Sequence, residues 1–236
     1  MTADEIRDLL ARDPERSEQT LQWLANQGVV AAQVMFGRML LKGRGTIKSP
    51  AAALAWFERA GKKGDAEATM LVGRCLEHGW GAAPDVAQAF SCYVYAAKLG
   101  NDWGQYNAAR MYLEGHGDVA SDAERAAYWY AKAAEQGHAR AMDALARCYD
   151  EGWGVVRNTF KANDWYRRSA EAGYFLGQYH WAMALAAEGR LDDAAQWLMR
   201  AAKDATPDIK AAIASDAAQM DHPAMRAVVL SLGLVH

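Results

Sequence analysis

A Gly-x-Gly pair occurs four times in this chain, at Gly43/Gly45, Gly79/Gly81, Gly115/Gly117 and Gly152/Gly154, at intervals of 36, 36 and 37 residues. A fixed period of this length marks one supersecondary unit repeated along the sequence and restricts the fold to architectures in which each unit packs on its neighbours. A second series, Gly28, Gly64, Gly100, Gly137 and Gly173, keeps the same period. Between the markers, each copy holds two apolar stretches with helical spacing. Ala66 to His78 places Ala68, Leu71, Val72, Cys75 and Leu76 three or four apart, and Val86 to Leu99 does the same with Ala89, Phe90, Tyr93, Ala96 and Ala97. Each unit therefore reads as a helix hairpin, with the second glycine series ending its second helix in a left-handed turn.

Aligned on the glycines, the second helices supply Trp56-Phe57, Cys92-Tyr93, Trp129-Tyr130, Trp165-Tyr166 and Trp197-Leu198, followed by small pairs such as Ala96-Ala97, Ala133-Ala134 and Ala201-Ala202. Large rings set against small residues let neighbouring helices interdigitate, and Trp56, Trp129, Trp165 and Trp197 read as core. A lone hairpin of this kind cannot bury both faces, so stacked units would share one continuous core in a curved solenoid.

This pattern resembles the Sel-1-like repeat, a relative of the tetratricopeptide repeat. The unit from His138 to Gly173 carries it through Ala141, Leu145, Tyr149, Gly152, Gly154, Val155, Lys161, Ala162, Trp165, Tyr166 and Ala170, departing at Ala146 and Ser169. The resemblance spans Val29 to Gly173 and implies an all-α, right-handed superhelical solenoid of helix hairpins with helical caps. Organisation is expected as one repeat domain over 1–236. It comprises an N-terminal cap and partial repeat (1–28), four repeats (29–64, 65–100, 101–137, 138–173), a degenerate tetratricopeptide-like repeat (174–205) and a C-terminal helical cap (206–236). In the degenerate repeat Gly189 stands 8 residues before Trp197, where Gly43 stands 13 before Trp56. The first cap is a short helix near Thr2 to Ala11, a break at Asp13-Pro14 and a helix end over Leu21 to Gly28. The last is two helices, Asp208 to Met220 and Pro223 to Leu232, with Val228, Val229 and Leu230 sealing the final hairpin.

Composition narrows the function. Of 236 residues 52% are hydrophobic and 23% charged, as in a folded domain, and a net charge of −3 without basic blocks argues against nucleic acid. No apolar run reaches the ~20 residues of a membrane helix, and Asp4, Glu5 and Arg7 stand where a secretory signal would be apolar, so the expectation is a cytoplasmic protein with no membrane insertion. Three cysteines, an odd number, read as reduced thiols. The six histidines (His78, His116, His138, His180, His222, His236) are scattered, without HExxH or CxxC patterns. Cys75 and His78, on one helix face, come closest to a ligand pair. Cys148 holds the same repeat position two units away, too far at ~10 Å per helix diameter to complete it. The glycines follow no strand and match no phosphate loop, and no GxSxG elbow occurs. No enzymatic activity, cofactor or metal is expected.

An arginine series remains. Arg38, Arg74, Arg110 and Arg147 each stand five residues before the first loop glycine. In the tetratricopeptide family that this repeat resembles, the matching position faces the concave groove and contacts bound peptide. Trp103, Tyr106 and Asn107 would share that face, with Met70 and Asp143 beside them. A guanidinium pairs bidentately with carboxylates, and an aromatic beside it makes hot-spot chemistry. Against this, Arg74 has Glu77, Arg110 has Glu114, and Arg147 has Asp150 and Glu151 one turn on, and a solvated salt-bridge ladder would look the same. Arg38 lacks such an acid and precedes Lys42, Arg44 and Lys48, which favours an acidic or carboxylate-bearing partner. Trp80 and Trp153, in the middle of two Gly-x-Gly loops, form a second surface unless each folds back over the next hairpin.

The resemblance implies an adaptor or scaffold that binds a protein or peptide segment in its groove. Three other classes stay open. GRCLEHGWG and NDWGQYNAARMYLEG are similar to bacterial Sel-1-like proteins that accompany siderophore receptors, which implies an accessory role in iron acquisition. An imperfectly capped end would allow homo-oligomeric self-assembly. Cysteine-rich relatives associated with β-lactam binding or hydrolysis have paired cysteines that this chain lacks.

Overall fold

The computed structural model describes residues 1–13, 16–116 and 120–233; Pro14, Gly117 and His236, all named above, lie outside them. Every long element is an α-helix. In order these are α1 (Ala3–Arg12), α2 (Ser17–Asn26), α3 (Val30–Lys42), α4 (Pro50–Gly61), α5 (Ala66–His78), α6 (Val86–Lys98), α7 (Asp102–Glu114) and α8 (Ala123–Glu135). They continue with α9 (Ala139–Glu151), α10 (Thr159–Glu171), α11 (Phe175–Ala187), α12 (Leu191–Asp204), α13 (Pro207–Gln219) and α14 (Pro223–Leu232). None is long and apolar enough to cross a membrane.

Local chemistry sets the boundaries. An Asx side chain accepts from the third helical amide at Asp65 (α5, 2.7 Å), Asp85 (α6, 2.8 Å), Asn101 (α7, 2.7 Å), Asp122 (α8, 2.9 Å) and Asn158 (α10, 2.9 Å). His138 Nδ1 takes that place at α9. Each cap satisfies an amide that the helix leaves unpaired. Helices α3, α5 and α9 stop at Gly43, Gly79 and Gly152 in the left-handed region, and Gly28, Gly64, Gly100, Gly137 and Gly173 take φ of 82° to 91° after α2, α4, α6, α8 and α10, as expected for C-caps.

The chain divides into two compact units, Met1–Ser121 and Asp122–His236. Within the first, α3 packs on α4 and α5 on α6, and each second helix packs on the next first helix. The second unit repeats this with α9 on α10 and α11 on α12, and α8 lies against α9. Glycines allow the closest approaches. A Cβ on Gly73 would stand 2.9 Å from the Tyr93 ring, and one on Gly81 or Gly154 would overlap the carbonyl of Pro50 or Ala123, at the start of the preceding second helix.

The aromatic pairs correct one expectation. Trp56, Trp129, Trp165 and Trp197 are only half-buried, whereas Phe57, Tyr93, Tyr130, Tyr166 and Leu198 fill the core. Consecutive helical residues point ~100° apart, so one member of each pair faces inward and the other lies at the boundary. Three of the boundary indoles are covered by the arginine one turn on: Arg59 lies 4.6 Å from the Trp56 ring centre, Arg168 4.5 Å from Trp165 and Arg200 4.6 Å from Trp197. At the end of the second unit, Ile213, Ala217, Met225 and Val228 close a core with Leu185 and Leu198. Leu230, expected to help seal this hairpin, is 72% exposed because it falls on the opposite side of α14 from Val228.

Candidate protein-binding surface

The arginine positions are alike in sequence but have three different environments. Arg38 on α3 forms an ion pair with Glu67 at the start of α5, so the acid absent from its own helix comes from the next hairpin. Arg74 on α5 stacks over Trp80 at 5.5 Å, and Arg147 on α9 over Trp153 at 5.1 Å, so neither makes the one-turn ion pair that its helix offers. Arg110 on α7 meets Glu114 at 3.1 Å and also reaches Glu77 on α5.

Glu77 is the centre of that last cluster. It accepts from the Tyr93 hydroxyl at 2.6 Å and from Arg110, and only 17% of its side chain is exposed. Burial pushes its carboxyl pKa up, but the Tyr93 hydrogen bond and the Arg110 guanidinium outweigh this and hold it below the ordinary 4.5. Burial and the adjacent carboxylate push the Tyr93 phenol up. Arg110 is thus committed inside the protein, a role its spacing did not reveal.

Asn107 is buried as well. Its amide donates to the Trp103 carbonyl of its own helix at 2.9 Å. Trp103 is 39% exposed and meets Tyr106 edge-on with ring centres 6.2 Å apart. Met70 and Asp143, expected beside them, are buried at 3% and 5% exposure. Trp80 and Trp153 are half-buried, each with the arginine of its own first helix over its ring, and Trp80 also meets the His78 ring at 4.7 Å. Cys75 and His78 do not share a face usefully: Cys75 is fully buried, with its thiol pushed up to about 11 by that burial, while His78 is exposed.

The structure brings Arg38, Arg74 and Trp80 together. They line a cleft of about 500 Å³ between the α3–α4 and α5–α6 hairpins, with Lys42, Lys48, Leu41, Pro50 and Leu71 completing the wall. Four cations surround an apolar floor and no carboxylate is among the lining residues. Arg38 also borders a second cleft of about 470 Å³, where Arg7, Lys42 and Arg44 stand with Asp65 and Glu67. Lys42 and Lys48 lie outside the repeated arginine position, so the arginine period alone could not place the cleft; their charge and nearness in sequence to Arg38 could.

A repeated glutamine went unread in the sequence. Gln33 and Gln105 are buried and donate to the Ala25 and Ala97 carbonyls at 3.1 and 3.3 Å, and Gln178 donates to Ala170 at 3.5 Å. Each bond spans eight residues and ties a first helix to the helix before it. Their common repeat position is visible in the sequence, but their role is structural.

Comparison with known proteins agrees with this organisation. The Sel1 repeat model matches residues 30–65, 66–101, 104–138 and 139–174. Chitin synthase regulatory factor 3 of Schizosaccharomyces pombe is 28% identical over 132 residues, 55% of this chain; the chain spans only 14% of that protein's length. A Sel1 repeat protein from Oxalobacter formigenes has the same fold, with a TM-score of 0.81 at 21% identity, over 98% of this chain and 99% of that one. The c5321 protective antigen of uropathogenic Escherichia coli, which displays an SLR fold, gives 0.76 at 25% identity over 93% of this chain and 48% of that one. With four consecutive matches covering more than half of its residues and helix hairpins in the matching places, this chain belongs to the Sel1 repeat family.

Proposed function

We propose that this protein is a non-catalytic docking scaffold that holds an acidic segment of a partner protein against the first-helix face of its N-terminal unit. The observation that carries this reading is the cleft in which Arg38, Lys42, Lys48 and Arg74 surround Leu41, Leu71, Pro50 and Trp80 without an acid in the wall. Such a site suits a carboxylate next to an apolar side chain: Arg74 offers a planar fork for bidentate pairing, Lys42 and Lys48 add charge, Arg38 would divide its fork between Glu67 and the ligand, and the indole offers contact area with little entropy to lose. A preformed helical scaffold loses little conformational freedom on binding. Membership of a repeat family that mediates protein interactions supports the general role, and the regulatory name of the yeast relative is consistent with it.

The test is a peptide array of Asp- and Glu-containing sequences, with Asn and Gln counterparts, probed with wild type and with a variant carrying Arg38→Glu and Lys48→Glu. Wild type should retain acidic peptides over their amide counterparts, and the variant should lose them while keeping its helical circular dichroism. Equal binding of both peptide sets, or an unaffected variant, would remove this cleft as the docking site.

A further inference from the structure

The repeat supplies an internal template for a second site of opposite charge. In the N-terminal unit, the Tyr93 hydroxyl, the Glu77 carboxylate and the Arg110 guanidinium form one cluster across adjacent hairpins. The same positions recur in the C-terminal unit at an offset of 73 residues, as Tyr166, Asp150 and Met183 (93 to 166, 77 to 150, 110 to 183). The tyrosine and the carboxylate are therefore repeated, and the cation is replaced by a thioether. At the matching position of the other two Gly-x-Gly repeats the carboxylate is a leucine, Leu41 or Leu113, so these are the two repeats that carry the acid.

The consequences are visible in the second unit. Tyr166 is only 7% exposed, yet among the described residues its hydroxyl has no hydrogen-bond partner, and the Asp150 carboxylate has no ion-pair partner. Arg147, one turn before Asp150, stacks on Trp153 instead. In front of both groups lies a cleft of about 430 Å³, lined by Asp150, Asn163, Tyr166, His180, Met183 and Glu188 among others. His180 is held in the wall by Asp143 at 2.6 Å and packs against the Tyr166 ring at 5.2 Å. Asn163 approaches Glu188 at 3.4 Å. No lysine or arginine is among the lining residues. Both groups face the cleft, and the carboxylate lacks the cation that its counterpart Glu77 meets, so a guanidinium entering there would find its charge unengaged.

We infer that this cleft receives an arginine side chain from a partner protein, whose guanidinium pairs with Asp150, beside the Tyr166 phenol, as Arg110 pairs with Glu77 beside Tyr93. The thioether of Met183 lies along the stem of the incoming chain, and Glu188 gives the cleft a second negative charge. A guanidinium is favoured over an ammonium because its planar fork can pair with the Asp150 carboxylate through two N–H groups while its face lies along the Tyr166 ring edge and the Met183 stem. This site is independent of the basic cleft proposed above, and neither needs the other.

The probe is the tripeptide N-acetyl-Gly-Arg-Gly-amide, followed by amide chemical shifts of the full chain, with the citrulline peptide as an uncharged isostere and putrescine as a small cation. The arginine peptide should shift residues around Asp150, Asn163 and His180 saturably, and the citrulline peptide should not. Asp150→Asn should weaken binding by about tenfold or more, the loss expected for one charge-assisted contact. Met183→Arg should abolish it by supplying the cation from within. Tyr166→Phe, which keeps the packing, guards against reading a folding defect as lost recognition, and should weaken binding without changing the remaining spectrum. Equal shifts with citrulline, or none that saturate at millimolar arginine peptide, would overturn the inference; equal saturation by putrescine would overturn the assignment to a partner side chain. Binding of acidic peptides to the same samples reads the basic cleft separately, so failure of one site is not failure of the other.

Discussion

The residue that separates framework from surface is Arg110. Its side chain is 25% exposed and its partner Glu77 17%, against 48% and 41% for Arg38 and Glu67. Water screens the second pair far more than the first. Glu77→Ala should therefore cost about 2 kcal/mol by leaving Tyr93 without its acceptor and Arg110 with Glu114 alone, whereas Arg38→Ala should cost under ~1 kcal/mol; chemical denaturation of the two variants measures the difference. The same carboxylate sets an acid limb. Since its folded pKa lies below the ordinary 4.5, its stabilisation is complete above about that pH and is lost as pH falls through the folded value. A melting-temperature series from neutral to acid should fall less steeply for Glu77→Gln than for wild type, and identical slopes would mean that Glu77 contributes nothing there. From sequence, the i to i+4 pairing of Arg110 with Glu114 was legible, but Glu77 stands 33 residues away and could be assigned only once α5 and α7 were seen in contact.

Among elements, the loops explain why two glycines recur in each copy. Gly137 follows α8 with φ of 91° and open space where a Cβ would point, so Gly137→Ala should cost roughly 1–2 kcal/mol, the strain of the left-handed region alone. Gly154 has φ of 67°, and a Cβ there would also overlap the Ala123 carbonyl, so Gly154→Ala should lose a further ~1–3 kcal/mol from overpacking. Thermal unfolding of the two variants side by side tests the order. Helix boundaries were legible to within a residue or two: α5 and α14 fall where their periodicity and caps place them, because those signals are local. The inward member of each Trp-aromatic pair was not, because both residues are large and apolar and only the rotation of the helix against its neighbour chooses between them.

At the scale of the whole molecule, each unit gains its core from contacts between successive hairpins, and its ends need covers. Helices α13 and α14 bury Ile213, Met225 and Val228 against Leu185 and Leu198. Ending the chain after Asp204 should expose that apolar face, lower the melting temperature and promote association, observable by light scattering alongside calorimetry. The two clefts show how repetition and departure from it divide the work. A shared period made the hairpin fold, the arginine positions and the core glycines readable from the amino-acid order alone, since each depends on residues within one turn or one repeat. Which arginine is committed to Glu77, which cations meet around Trp80, and that Asp150 lacks the cation which its counterpart Glu77 meets, were decided only by the tertiary structure. Those outcomes depend on side chains from different hairpins meeting, and the packing of one helix against the next is what brings residues 33 positions apart into contact.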